Sequence, residues 1–268
     1  MKSFIEKLAL CRKGIFSSEK KFIFLCTAKK FWDGLCSLIF PSNCVICKKY
    51  VLPGASLDIL CPDCLNTIEP NKPPFCRRCS RHLENPQKIE FCRDCLKHSH
   101  YFDKAWAATG YNKSMKQLIH LFKYTNKTSL RTALAGLIFS FVENYNLDLS
   151  PYDVIVPIPL YPTRLRERGY NQAQLIAEQL SLKLDIPCLT DNLIRTRHTP
   201  NQALLGQKER WTNIYDAFRI KNPREFSRKS VLVIDDLLTT GATASEAARV
   251  LKEAGAKHVG VLTIAIAN

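Results

Sequence analysis

From about residue 103 onward the apolar positions alternate between strand and helix periods, whereas before that point they follow neither. Ala105–Gly110 is an apolar run of strand length, and in Ser114–Tyr124 the residues Met115, Leu118, Ile119 and Phe122 are spaced to share one helical face. Thr132–Tyr145 predicts a second helix, Asp153–Val156 a buried strand stopped by Pro157 and Pro159, and residues 172–184 an amphipathic helix. Val231–Ile234 is a β-branched strand, Ala242–Ala254 a helix closed by Gly255, and His258–Ile266 a last strand. A strand, a helix and a strand in that order form a right-handed crossover, which implies an α/β domain with a parallel sheet and helices on its faces. Residues 195–210 are polar and without period, and a loop that long inside a compact domain is usually functional or mobile.

The first hundred residues have a different texture. Residues 1–30 form a basic, partly amphipathic lead-in, and Phe31 to Phe40 predicts a short helix ended by Pro41. Residues 44–95 hold Pro53, Pro62, Pro70, Pro73, Pro74 and Pro86 and little apolar periodicity, so loops pinned by metal suit them better than a hydrophobic core. The expected organisation is a lead-in over 1–40, a small cysteine-rich domain over 41–100 and the α/β domain over 101–268. A hydrophobic content of 46% against 24% charged residues belongs to a globular chain and not to a disordered one.

Eight of the twelve cysteines fall in Cys-x-x-Cys pairs. Cys44-x2-Cys47 and Cys61-x2-Cys64 are thirteen residues apart, and Cys76-x2-Cys79 and Cys92-x2-Cys95 twelve, so the arrangement repeats in register. Cys11, Cys26, Cys36 and Cys188 have no pattern. In a reducing compartment such pairs are metal ligands, and a tetrathiolate zinc site is closed and therefore structural. We read two sequential zinc sites, Cys44/Cys47/Cys61/Cys64 and Cys76/Cys79/Cys92/Cys95, although the spacing also permits an interleaved pairing. Thioredoxin-like redox chemistry is the other reading of one such pair, and four copies without a thioredoxin sheet argue against it.

The formal charge of +15 is concentrated at the start, where residues 1–50 hold ten Lys/Arg and three Asp/Glu. That excess favours anionic partners, with a solvated basic face as the plainer alternative. In the cysteine segment Lys48, Lys49, Arg77, Arg78, Arg81 and Arg93, with Tyr50, Phe75 and Phe91, would suit single-stranded nucleic acid. Residues 51–100 nevertheless carry seven basic against six acidic side chains, so protein contact fits as well. The apolar runs 22–26 and 35–40 are interrupted by Lys29, Lys30 and Asp33 and fall short of about 20 residues, so no transmembrane helix is expected. No adequate apolar region marks a secretory signal, and the cytoplasm is the expected location.

Ligands of a parallel sheet collect at the carboxyl ends of its strands. Asp235-Asp236 stands there, directly after Val-Leu-Val-Ile. Adjacent carboxylates repel, so ribose hydroxyls or a divalent cation would be their natural partners. Thr239-Thr240-Gly241-Ala242-Thr243 then opens a helix with hydroxyls, a glycine and first-turn amides suited to an anion. An isolated Thr here would be only an N-cap; the dicarboxylate beside the turn is the distinctive feature.

Val231–Thr243 resembles the phosphoribosyl-pyrophosphate (PRPP) motif of type I phosphoribosyltransferases, in which the acid pair binds ribose hydroxyls and the turn holds the 5′-phosphate. The resemblance extends from about residue 105 to the end. With the cysteine pairs, Arg168-Gly169-Tyr170-Asn171-Gln172, and Arg195, Arg197, Thr199, Gln202, Leu205, Arg210, Asn213 and Phe218, the chain resembles ComF-like competence proteins over residues 31–268. This implies a type I phosphoribosyltransferase domain preceded by a zinc-ribbon domain, with PRPP and magnesium as ligand and about two structural zinc ions. Val156-Pro157-Ile158-Pro159 resembles the pyrophosphate loop, with backbone amides and Arg164 and Arg168 as anion partners. Residues 195–210 resemble the loop that closes over PRPP, with Arg195, Arg197 and His198 as its anion contacts. The implied role is DNA uptake in natural transformation, by phosphoribosyl transfer to a nitrogenous acceptor or by PRPP binding without turnover. Single-stranded DNA and uptake-machinery or helicase proteins are the implied partners.

Overall fold

The computed structural model describes residues 43–51, 59–84, 89–199 and 206–267. It divides between Cys61 and Pro62 into two compact units. The expected helix over Phe31 to Phe40 and the basic lead-in lie outside the described residues.

In the larger unit, short helices α1 (Pro62–Asn66) and α2 (Arg93–Lys97) each carry one cysteine of a knuckle. The α/β portion begins with β1 (Lys104–Gly110), followed by α3 (Lys113–Tyr124) and α4 (Leu130–Asn144). Met115, Leu118, Ile119 and Phe122 of α3 are all buried, as their spacing requires, and Asn112 caps the helix by accepting from the Met115 amide. Next come β2 (Val154–Pro157), α5 (Pro162–Arg168) and α6 (Gln172–Leu184). After the short strands β3 (Leu193–Arg195) and β4 (Phe218–Ile220), with α7 (Gln207–Ile214) between them, the chain closes with β5 (Ser230–Leu238), α8 (Ala242–Glu253) and β6 (His258–Ile266).

The main sheet has the order β1-β6-β5-β2 and all of its pairings are parallel. Its central strands are buried on both faces, which is why Val231–Ile234 and residues 259–266 read as continuous apolar runs. Both edges are covered. Along β1, Asn71 donates its amide to Ala108 at 3.0 Å, and Gly110 donates to Glu69 at 2.9 Å. Along β2, the Ile155 amide donates to Pro187 at 2.8 Å and the Leu189 amide to Ile155 at 2.9 Å. Inside β6, a Cβ on Gly260 would lie 2.1 Å from the Tyr152 hydroxyl, so glycine makes room for that ring.

Two expectations change. The strand at Val231–Ile234 does not stop before the carboxylates, because β6 keeps pairing with it: Asp235 stands opposite Thr263 and Leu238 opposite Ile266. Residues 195–210 are not one loop, because Arg195 ends β3 and Gln207 begins α7. The α7 sequence is polar and was unreadable as a helix by period, yet Gly206 donates its amide to Glu209 at 2.9 Å, and Ile214 is buried at its end. The antiparallel β3–β4 pair was missed because three residues are too few to show alternation.

The second cysteine group also departs from loops held by metal alone. Cys76, Cys79, Leu83 and Cys92 share one buried cluster with Phe102, Val231, Val233, Ala242 and Ala244. Fully burying a side chain such as Phe102 contributes on the order of 1.5–3 kcal/mol, so this segment is fastened to the α/β core by apolar contact as well.

Candidate functional site

At the carboxyl end of β5 lies a cavity of about 170 Å³. Asp235 and Asp236 line it, with Lys123, Arg164, Arg168, Arg195 and Arg210 around them. Beside it a smaller recess is bounded by Asp235 and the turn residues Thr239, Gly241, Ala242 and Thr243. Gly241 adopts φ +79, and a Cβ there would meet His100 Cε1 at 2.9 Å, so both conformation and space require glycine. The turn delivers the chain into α8, where the Ala242 amide donates to Thr240 Oγ1 at 3.4 Å, and a helix N-terminus attracts negative charge.

The carboxylates are not equivalent. Asp236 is 3% exposed, yet Lys123 Nζ lies 2.5 Å from its Oδ2 and Gln172 Nε2 donates to its Oδ1 at 3.0 Å. Burial alone would raise the Asp236 carboxyl, but the Lys123 ammonium outweighs it and holds the group below the ordinary range. The same pairing raises Lys123 despite its own desolvation. At Asp235 burial, followed by repulsion from Asp236, outweighs the Lys123 ammonium and pushes the carboxyl up to about 8. Around neutral pH the pair therefore carries close to one negative charge rather than two.

Ile158, Arg164, Arg168, Arg195, Thr239 and Thr243 all meet at the cavity. Arg168 donates to Gln172 Oε1, and its guanidinium lies 5.3 Å from the centre of the Tyr124 ring. Arg195 donates to Thr199 and packs over Phe218, with burial and then the nearby Arg164 lowering it to about 10. Arg197 is not among the residues lining the cavity and donates to the Asn213 carbonyl at 2.7 Å, while His198 packs edge-on against Tyr161. The amide cradle expected at Val156–Pro159 does not form there. Pro157 and Pro159 have no N–H, and the Ile158 amide is committed to the Ile234 carbonyl at 2.9 Å. Arg164 and Arg168 line the cavity on that side.

Lys123, Tyr124 and the role of Gln172 were not anticipated. Lys123 had a signal: it follows Ile119 by four residues, so a charge sits in line with the buried stripe of α3 and needs a partner beneath it.

Each cysteine group, Cys44/Cys47/Cys61/Cys64 and Cys76/Cys79/Cys92/Cys95, brings four sulfurs within 4.8 Å of one another. Four thiols that close cannot all ionise on their own. In the second group Cys76 is driven down, chiefly by hydrogen bonds from its neighbours, while Cys79 and Cys95 are driven up. A divalent cation resolves that conflict, and four thiolates with no open position fit structural zinc, in the sequential pairing.

A double zinc ribbon domain model matches residues 35–96, and a phosphoribosyl transferase domain model matches residues 168–268. Competence protein F of Haemophilus influenzae is 34% identical over 209 residues, covering 77% of this chain and 90% of that protein. The chain belongs to the ComF family. Competence protein ComFC of Streptococcus pneumoniae is 28% identical over 83% of this chain and 99% of its own length. DNA utilization protein YhgH of Salmonella typhimurium is 28% identical over 81% of this chain and 87% of its own length. Among solved structures, a glutamine PRPP amidotransferase from B. subtilis is similar at a TM-score of 0.36 and 18% identity, over 54% of this chain and 30% of that one. Adenine phosphoribosyltransferase from Leishmania tarentolae is similar at 0.32 and 16%, over 53% and 73%. Those two likenesses are too low to transfer residue roles to this ComF chain.

The raised Asp235 carboxyl has a measurable consequence. The unfolded chain releases that proton near the ordinary carboxylate value of about 4, whereas the folded protein holds it to about 8. The folded state binds more protons across that window, so this group's contribution to stability declines as pH rises from about 4 to about 8. Asp235→Asn should remove the decline, and its melting temperature should gain on the parent protein progressively through that window. A difference that stays constant with pH would contradict the assignment.

Proposed function

We propose that this ComF-family chain binds PRPP with magnesium at the end of β5. The observation that carries the reading is the acid pair Asp235-Asp236 beside the turn Thr239–Thr243, inside a ring of cations. The two carboxylates accept from the ribose hydroxyls, and the first amides of α8 with the Thr240 and Thr243 hydroxyls hold the 5′-phosphate. Arg164, Arg168 and Arg195 face the pyrophosphate, and Arg197 and His198 join them only if the segment between β3 and α7 rearranges. Magnesium brought with the ligand would neutralise part of the pyrophosphate charge.

If transfer follows, a nitrogen lone pair on the acceptor forms the new bond to the anomeric carbon. The carbon–oxygen bond to pyrophosphate breaks, and pyrophosphate leaves with that electron pair. The acceptor nitrogen then gives its proton to solvent. The residues contribute positioning and charge rather than a covalent intermediate. Space for an acceptor exists beside the main cavity, where a second one of about 370 Å³ is lined by Lys123, Tyr124, Asn126, Arg164, Glu167 and Arg168. PRPP binding without turnover is the competing form of the same proposal.

The relatives are named for competence and DNA utilization, and we extend that role to this chain, with single-stranded DNA or uptake-machinery proteins as partners. Tyr50, Leu96 and Tyr101 are exposed in or next to the cysteine-rich segment. Arg78 packs 5.9 Å from the centre of the Phe91 ring, the kind of charge and ring pairing that suits a single strand.

Replacing both acids, Asp235→Asn with Asp236→Asn, should abolish PRPP binding by calorimetry while the protein stays folded; unchanged affinity would sink the site. With the parent protein and a panel of bases, pyrophosphate release that requires a base supports transfer, and binding without release supports the ligand form. Affinity for single-stranded oligonucleotides should fall with salt, with a log–log slope near −0.7 per phosphate neutralised. Removing residues 1–30 should flatten that slope. Binding that ignores salt, or no binding, would contradict the DNA contact.

A further inference from the structure

The second cysteine group and the residues just after it reach the turn and the start of α8 at three points. Arg81, two residues after Cys79, is the first. Its side chain is 17% exposed, its Nη1 lies 3.2 Å from Asp94 Oδ2, and its Nη2 donates to the main-chain carbonyl of Thr239 at 2.9 Å. The Arg81 carbonyl accepts from the Cys76 amide at 2.7 Å, and Asp94 stands between Cys92 and Cys95. One residue therefore ties both knuckles of this group to the start of the turn. The second point is His100, stacked on Phe102 with ring centroids 4.6 Å apart, whose Cε1 leaves no room for a side chain at Gly241. The third is the Tyr101 amide, which donates to Ser245 Oγ in the first turn of α8 at 3.0 Å.

The Thr239 carbonyl and the Thr240 N–H belong to one planar trans peptide and point in opposite directions. A guanidinium holding the carbonyl toward the cysteine group therefore aims the Thr240 N–H away from it. A charge-assisted hydrogen bond from a mostly buried donor makes that orientation costly to leave.

We propose that Arg81 is a positioning residue for the Thr239–Thr243 turn, making the second zinc ribbon the outer wall of the anion site. Arg81 hydrogen-bonds the turn through the Thr239 backbone and is not among the residues lining the main cavity. The ligand part of this inference rests on PRPP being bound at that turn; the effect on the turn itself does not.

Three proteins decide it: the parent, Arg81→Ala and Arg81→Lys, each measured for zinc per chain, PRPP–magnesium affinity and amide exchange at Ser245, whose N–H donates to the Gly241 carbonyl at 2.8 Å. Arg81→Ala should weaken PRPP by at least about tenfold, equivalent to about 1.4 kcal/mol. It should also speed Ser245 exchange, with the zinc content unchanged. Arg81→Lys keeps a charged donor and loses the fork, so it should fall between the two. Parent-like affinity and exchange in Arg81→Ala would overturn the proposal. So would loss of zinc in Arg81→Ala alongside parent-like affinity and exchange in Arg81→Lys, because Arg81 would then serve only the metal site. If the parent itself binds no PRPP, the proposed function fails, and Ser245 exchange alone decides the positioning role.

Discussion

Two carboxylates side by side at the end of a buried strand repel each other, and the Lys123 ammonium 2.5 Å from Asp236 is what lets them coexist. It holds Asp236 ionised, while Asp235 keeps its proton well above the ordinary carboxylate range. Breaking a buried ion pair on one side is costly because it leaves an uncompensated charge, and that cost ties α3 to β5. The position of α3 then follows from its own stripe, since Met115, Leu118, Ile119 and Phe122 bury the same face that brings Lys123 to the acids. If PRPP with magnesium binds as proposed, its hydroxyls and cation would replace the ammonium as partner of Asp236.

The surroundings hold that end of the sheet in place. β5 is central, with β6 and β2 on either side, and its pairing to β6 continues past the acids as far as Leu238. Gln172 opens α6 and donates to Asp236, so a second helix reports to the same carboxylate. From the remaining side comes the second cysteine group, packed on Phe102, Ala242 and Ala244. A metal site that shares a hydrophobic core with the turn makes the ribbon part of the α/β unit rather than an appended module.

What could be read from residues alone depended on length and period. The long elements with a clear face, Lys113–Tyr124 and Gln172–Leu184, were legible within a residue or so, as was the final strand His258–Ile266. The acid pair and turn were legible as a local motif because all the residues lie within nine positions of one another. The cysteine pairs were legible for the same reason. Partners brought from far away in sequence were not: Lys123 is more than a hundred residues from Asp236, and Arg81 is 158 from Thr239. The Val156–Pro159 amides failed for a different reason, since the sheet itself claims the Ile158 N–H. Short elements such as α7 are set by a capping contact at Gly206 and by burial of Ile214, and neither leaves a periodic trace.

A crystal structure of the full chain grown with PRPP and magnesium tests the central claim most directly. The ribose hydroxyls should lie against Asp235 and Asp236, with the Lys123 ammonium drawn off Asp236, and the 5′-phosphate should sit over the amides of Thr240–Thr243. Density for the ligand elsewhere, or an empty turn with the Lys123–Asp236 pair intact at saturating ligand, would contradict it.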